Sequence, residues 1–340
     1  MSNLLVPRRI LFITSTRIGD AVFSSGLLDY LVRSYPDHKI TIVCGPLCAS
    51  LFEGVPTLER IIALNKEKWN RHWWKLWKLV VPLRWDIVVD LRNSLVSRLV
   101  RANHVYSHGS HIDKTLPKPA QNAQIMGLSE IPLPRLYLSK SQQERARFLV
   151  PEGAPVLGIG PTSNWIGKTW PIDRYKDVAA RLLGEGGLCE GWRLAVFAAP
   201  GEEKEAYALL NSVPEVQRID VIAKGSPGEA AAALARCNLF LGNDSGLTHC
   251  AAAVGVPTLG LYGPSFPDIY APSGLRAHHV RTPESSAELI NFSGYDPKTL
   301  KHNLMESLSV EEVLRGVAEL LQRPLHTPRL LRGFQGTANR

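Results

Sequence analysis

Asn238-Leu-Phe-Leu-Gly-Asn-Asp-Ser-Gly-Leu-Thr-His-Cys-Ala-Ala-Ala-Val-Gly-Val-Pro-Thr-Leu-Gly-Leu-Tyr-Gly-Pro-Ser265 reads as strand, tight turn, helix and second strand. Leu239-Phe240-Leu241 is a short apolar run of the kind a buried parallel strand shows. Residues 242–246 are turn chemistry, with Asp244 and Ser245 as candidate N-caps. Residues 247–254 form a small-residue helix that Gly255, ahead of Pro257, stops. Residues 258–261 return as a strand ending at Gly263-Pro264. The turn therefore lies at the carboxyl end of a strand and the amino end of a helix. Ligands of open α/β sheets bind there, and unpaired amides plus the helix dipole favour an anion. Ser245, Gly246 and Thr248 can offer backbone and hydroxyl donors to a phosphate, with His249 next in line. A capped helix in a plain Rossmann-like layer would share the turn. The small residues Ala251, Ala252, Ala253 and Gly255 favour a close helix–sheet approach, and Gly246 lets a ligand reach backbone.

Outward from this stretch the same rhythm recurs. Upstream, strands are expected at 156–160, 192–198 and 216–222, with helices at 171–183, 202–211 and 227–236; a last helix covers 310–322. The first half repeats it: strands at 9–14, 39–43, 60–63, 86–91 and 104–106, and a helix at 21–33. Alternating β and α predicts parallel sheets. A chain of 340 residues suggests two such domains. The best linker is Pro151-Glu152-Gly153-Ala154-Pro155, giving domains 1–150, with a helix at 141–149, and 151–323. The basic stretch 324–340 is expected to be a disordered tail. Residues 107–134, rich in His, Pro, Lys and Gln, read as loop with room for a short helix.

Composition narrows the class. Hydrophobic content of 45% and charged content of 21% fit a globular protein. No run of about 18 apolar residues predicts a membrane span, and the amino terminus is not a convincing signal peptide. Cysteines 44, 48, 189, 237 and 250 are odd in number and scattered, which suits reduced thiols in a cytoplasm. Cys44 and Cys48 lack the second Cys/His pair of a zinc site. A net charge of +8 invites an anionic partner without choosing it.

Residues 65–84 are unusual. Trp69, Trp73, Trp74 and Trp77, with Trp85 just beyond, stand among Lys66, Lys68, Arg71, Lys75, Lys78 and Arg84. As one helix this could lie on an anionic membrane surface, with rings at headgroup depth and cations on lipid phosphates. It could equally be a surface helix packed on the sheet with a solvated basic face. Single-stranded nucleic acid fits less well, because the cluster is one helix and not a sheet platform.

Three further sites carry chemistry. Gly158-Ile159-Gly160-Pro161-Thr162-Ser163 opens like a dinucleotide fingerprint but places Ser163 where the third glycine belongs, and Pro161 removes an amide; this argues against an oxidoreductase. The following loop offers the hydroxyls of Thr162 and Ser163 and the charge of Lys168, which suits a leaving diphosphate. No Asp-x-Asp pair occurs in the chain, so no metal-bridged diphosphate site is expected. A carboxylate among Glu202, Glu203 and Glu205, with Glu203 as the candidate, could take the hydroxyls of a ribose, or simply complement a helix dipole. Asp20, after Gly19 at the end of the first strand, is either an N-cap or a general base facing the second domain across a cleft.

Residues 10–25, 160–175 and 239–264 together resemble glycosyltransferase family 9, the bacterial heptosyltransferases of lipopolysaccharide core assembly. The most specific parts are Asp244-Ser245-Gly246-Leu247-Thr248-His249 with Gly263-Pro264, then Ile18-Gly19-Asp20 and Lys168-Thr169-Trp170-Pro171. The resemblance implies an α/β GT-B architecture, two Rossmann-like doubly wound domains facing across a cleft. It implies inverting, metal-independent transfer of heptose from ADP-heptose to a lipid A–Kdo type acceptor, the nucleotide-sugar being a substrate and no cofactor being needed. Asp20 would be the base and Lys168 would meet the developing charge. Thr162 and Ser163 would hold phosphate; Ser245, Gly246, Leu247 and Thr248 the diphosphate; Asp244 the sugar, with His249 nearby. The expected partners are ADP-heptose or a related nucleotide-sugar, a lipid-anchored saccharide acceptor and the anionic inner face of the cytoplasmic membrane, with no nucleic acid. The Trp-rich helix and the loop at 107–134 depart from the family, and both lie in the acceptor half. A catalytically silent GT-B protein that binds nucleotide-sugar or lipid saccharide in an envelope assembly is the alternative, against which the presence of both Asp20 and Lys168 speaks.

Overall fold

The structure, a computed structural model, describes residues 8–323. The tail expected to be disordered lies outside the described residues. The chain divides into two compact units between Ser139 and Lys140. The helix expected to close the first domain is therefore in the second. It runs over Lys140–Leu149 and packs on the helix Pro227–Leu234, so contact and not the Pro-Gly linker decides its membership.

In the first unit the order is β1 (Arg9–Ile13), α1 (Ile18–Ser34), β2 (Lys39–Cys44), β3 (Leu58–Ala63), α2 (Arg71–Val80), β4 (Arg84–Asp90), β5 (Arg101–Ser107) and α3 (Lys118–Ile125). The sheet order is β3-β2-β1-β4-β5, and all four pairings are parallel. Central β1 buries Ile10, Leu11, Phe12 and Ile13 completely or nearly so, as a strand covered on both faces must. Each such side chain contributes about 1.5–3 kcal/mol of burial. Within the stretch expected as loop, α3 starts after Pro117. Its Asn122 donates Nδ2–H to the Phe23 carbonyl of α1 at 3.1 Å. The following segment crosses α1 so closely that a side chain on Gly26 would collide with the Pro132 carbonyl.

The Trp-rich stretch is not one helix over 65–84. A 3₁₀ turn at Lys68–Asn70 ends in two left-handed residues, Trp69 (φ 58°) and Asn70 (φ 55°), and α2 begins only at Arg71. It stops at Val80, ahead of Pro82, which has no N–H to continue the ladder. Trp85 belongs to β4, is wholly buried and donates its indole N–H to the Val80 carbonyl at 3.0 Å. Leu76 and Val80 join it in the core with Leu11, Val43 and Val88, and Trp73 and Trp77 pack half-buried against them. Trp69 and Trp74 face outward, 91% and 64% exposed.

The second unit runs α4 (Lys140–Leu149), β6 (Val156–Gly160), α5 (Ile172–Leu183), β7 (Arg193–Ala198), α6 (Glu203–Leu210), β8 (Arg218–Ile222), α7 (Pro227–Leu234), β9 (Leu239–Asn243), α8 (Gly246–Ala253), β10 (Thr258–Tyr262), α9 (Pro267–Tyr270), β11 (Ala277–Arg281), α10 (Ser286–Ile290) and α11 (Val310–Gln322). Its six strands are ordered β11-β10-β9-β6-β7-β8, again all parallel. Edge strand β11, Ala-His-His-Val-Arg, has no apolar run and was not expected. Trp170 and Tyr175 anchor this core edge-to-face, ring centroids 5.0 Å apart, and both are fully buried.

Candidate active site

In the second unit the site grows from the end of β9. All five residues of that strand are buried. The chain then turns through Asp244 and Ser245 into α8, whose backbone N-cap is Ser245, in an extended conformation. Neither candidate cap makes a side-chain capping bond. Instead Thr248, fully buried, donates its hydroxyl to the Asn243 carbonyl at 2.5 Å and so closes the turn. As a donor to phosphate that hydroxyl is already used. What the turn presents is half-exposed Ser245, Gly246 and Leu247, and first-turn amides that have no carbonyl a turn earlier to bond.

Asp244 is the hub. Its Oδ2 accepts from Lys168 Nζ at 3.1 Å and from Ser265 Oγ at 2.8 Å. Its Oδ1 lies 3.3 Å from His249 Nε2 and 3.5 Å from the Tyr262 hydroxyl, which donates its proton to the Tyr270 carbonyl at 2.7 Å. Burial alone would raise the Asp244 pKa. The His249 hydrogen bond, the Lys168 charge and the Ser265 hydroxyl outweigh it and hold the carboxyl well below the usual carboxylate range. Tyr262 moves the other way: burial and the Asp244 charge push its phenol up.

Lys168 ends a 3₁₀ turn, Ile166–Lys168, in the loop between β6 and α5. Gly167 makes the turn possible, since a Cβ there would stand 2.5 Å from the Trp165 ring. Ser163 bonds within the loop, donating to the Trp165 carbonyl at 2.9 Å and sharing a hydrogen with Thr169 at 2.8 Å. Thr162 is buried and donates to Glu202 Oε2 at 2.6 Å. Glu203 is turned elsewhere: both of its oxygens accept the Gly201 amide, at 3.0 and 2.9 Å. Of the acidic run, Glu202 is thus the member tied to the loop that carries Lys168. The structure gathers Lys168, Asp244 and His249 into one cluster and adds Ser265 and Tyr262, which sequence reasoning did not single out. Ser265 ends the stretch first quoted, and its place after Gly263-Pro264 was the available signal. Among the described residues no three His, Cys, Asp or Glu side chains gather to hold a metal ion.

Asp20 lies in the first unit, in the first turn of α1, whose N-cap is Arg17. It lines a cavity of about 840 Å³ at the carboxyl ends of the strands. Thr14 and Ser15 follow β1, Cys44 ends β2, Asn65 follows β3, Arg92 follows β4 and His108 follows β5. This is where an open α/β sheet takes its ligand. The lining carries one carboxylate, Asp20, and four cations, Arg17, Lys66, Arg92 and Lys118. Fully buried Asp90 fixes the Arg92 turn, accepting the Arg92 amide at 2.9 Å and the Ser94 amide and hydroxyl at 2.8 and 2.7 Å. Burial, then the Lys118 charge, holds the His108 imidazole below its ordinary value. One wall is supplied by the start of α2 and the residue before it, through Asn70, His72 and Trp73.

A family profile described as glycosyltransferase family 9 (heptosyltransferase) matches residues 118–293. The chain is 25% identical to lipooligosaccharide heptosyltransferase 2 of Haemophilus influenzae, over 92% of this chain and 99% of the relative. A glycosyl transferase family 9 structure from Veillonella parvula superposes with a TM-score of 0.76 at 22% identity, covering 93% of this chain and 98% of that one. The E. coli ADP-heptose lps heptosyltransferase II gives 0.69 at 21%, covering 92% and 98%. These likenesses agree with the expected GT-B fold.

Proposed function

The chain belongs to glycosyltransferase family 9 and is a glycosyltransferase, and on that premise we propose that it moves heptose from ADP-heptose to a lipid-borne lipopolysaccharide-core saccharide, with inversion and without a metal. The observation that carries the reading is the Lys168–Asp244 pair at the mouth of α8. A half-buried cation held by Asp244, just ahead of the first-turn amides of α8, is suited to receive the negative charge of a departing diphosphate. The second unit would hold the donor there, and the first unit the acceptor in the cavity lined by Asp20 and its four cations. ADP-heptose is named because the E. coli relative acts with it.

In the proposed step the acceptor hydroxyl attacks the anomeric carbon while the carbon–phosphate oxygen bond breaks. The hydroxyl proton passes to Asp20 and the electron pair leaves on the diphosphate, where Lys168 and the α8 amides stabilise it. A single displacement inverts the anomeric centre. A weak base suffices because the hydroxyl becomes acidic only as the new bond forms. Nucleotide-sugar is then a substrate and no cofactor takes part. The acceptor's lipid places the enzyme at the anionic inner face of the membrane; among the described residues no helix is long and apolar enough to cross it.

Turnover of ADP-heptose with a lipid A–Kdo acceptor tests the reading. Asp20→Asn should lower kcat roughly 10²–10⁴-fold with donor affinity nearly unchanged. Lys168→Ala should be severely impaired, and excess chelator should leave the wild type active. Near-normal turnover of Asp20→Asn would remove the base assignment. Activity lost in chelator and restored by Mg²⁺ or Mn²⁺ would remove the metal-free step.

A further inference from the structure

Asn243 closes β9, has no exposed surface, and was not among the residues to which chemistry was assigned. Its side-chain amide spans the base of the loop that carries Lys168. Oδ1 accepts the Trp170 amide at 3.0 Å, and Nδ2 donates to the Pro161 carbonyl at 2.8 Å. Pro161 follows β6 and Trp170 precedes α5, so the two bonds pin both ends of the loop that holds Thr162, Ser163 and Lys168. On the other side the Asn243 backbone carbonyl takes the Thr248 hydroxyl of α8, and the next residue is Asp244. One residue thus ties three parts: the lysine loop, the turn with the carboxylate and the first turn of α8.

We propose that Asn243 is a positioning residue for the transfer, setting the distance between the Lys168 ammonium and the mouth of α8. The proposal rests on the assignment of Lys168 to the leaving group. The chemistry demands an amide. It supplies an acceptor and a donor from one rigid plane, pointing to opposite ends of the loop. A carboxylate would turn an acceptor toward the Pro161 carbonyl, and a hydroxyl is too short to span both partners. An apolar replacement would strand a buried amide and a buried carbonyl. The rest of the loop is braced internally through Ser163, Trp165 and Thr169, and by the Leu304 amide on the Gly167 carbonyl at 2.9 Å. Loss of Asn243 should therefore shift the loop as a body and displace the lysine. Displacements of about 1 Å in such sites cost on the order of 10²-fold in rate.

The test is a double-mutant cycle of Asn243→Ser and Lys168→Ala, read as kcat with ADP-heptose and lipid acceptor. A residue that acts through the lysine gives strongly non-additive effects; one that merely supports the fold gives effects that multiply. The expected result is that Asn243→Ser lowers kcat by roughly 10–100-fold, and that Lys168→Ala costs far less in that background than in the wild type. The same factor for Lys168→Ala in both backgrounds, or an Asn243→Ser variant with wild-type kcat, overturns the proposal. Wild-type kcat for Lys168→Ala alone overturns it by a different route, through the assignment it rests on. If Asn243→Ser fails to fold, Asn243→Thr, whose hydroxyl can keep one of the two bonds, goes through the same cycle with the same two readings.

Discussion

Asp244 holds its charge with a side chain only 13% exposed, and partners make up for the lost water. The folded carboxyl titrates below the ordinary value of 3.8. Between the folded and unfolded values the unfolded chain binds more protons, so stability rises with pH across that window. The contribution is complete above the unfolded pKa and is lost as pH falls through the folded one. Melting temperature measured from pH 6 down into the acid range should fall steeply in the wild type and less steeply in Asp244→Asn. Equal acid slopes would mean that the carboxyl is not held in its charged form by the fold. The same lysine that stabilises Asp244 is the one proposed to meet the diphosphate, so donor binding has to share or replace this partner.

At the level of the element, α2 shows how one helix serves a core and a surface. Leu76 and Val80 are buried, and Trp73 and Trp77 lean on the core beneath them. The opposite side carries exposed Trp74, Lys75, Lys78 and Leu79, with Lys68, Trp69 and Arg71 at the start. Lys75 is paired with Glu67 at 2.5 Å, which removes part of the positive field. Trp73 and Asn70 also line the cavity that holds Asp20, so a membrane against the outer side of α2 would lie near the cavity proposed for the acceptor. Each cation near anionic lipid adds about 1 kcal/mol, and salt screens it. Co-sedimentation with anionic vesicles should therefore be weak, reversed by salt and absent with neutral vesicles. The variant to compare is Trp69→Ala with Trp74→Ala, because truncating Trp73 or Trp77 would damage packing as well. Equal binding of both proteins to both vesicle types would leave α2 as ordinary surface structure.

Across the whole molecule, the five cysteines are buried thiols not joined in disulfides, two in the first unit and three in the second. Burial pushes the thiols of Cys44, Cys48 and Cys237 up to about 12 and that of Cys189 to about 11; the charge of Asp20 adds to the effect at Cys48. The thiolate is the reactive form, so a disulfide reagent should label the native protein very slowly at neutral pH. Each unit has its own sheet and core and is expected to open as its own cooperative unit. In rising denaturant, Cys44 and Cys48 should label as one group and Cys189, Cys237 and Cys250 as another, read by mass spectrometry of peptides. Five thiols labelling together at every denaturant concentration would show one cooperative molecule instead.

The parallel βαβ rhythm, the two domains, the strand–turn–helix at 239–253 and the lysine loop were all legible in the sequence, because apolar period and turn chemistry are local properties. Other features depended on contacts between residues far apart in the chain. Helical spacing put several Trp in one stretch, yet depth was decided by the sheet beneath: Trp85 entered the core and Trp69 did not. Strand β11 carries no apolar run, and its identity comes from backbone pairing with β10. Helix α4 joined the second unit because its partner α7 is there. Asn243 reads in sequence as one more turn residue. Its two side-chain bonds reach residues 73 and 82 positions away, so only the folded chain could reveal that it holds the loop of Lys168.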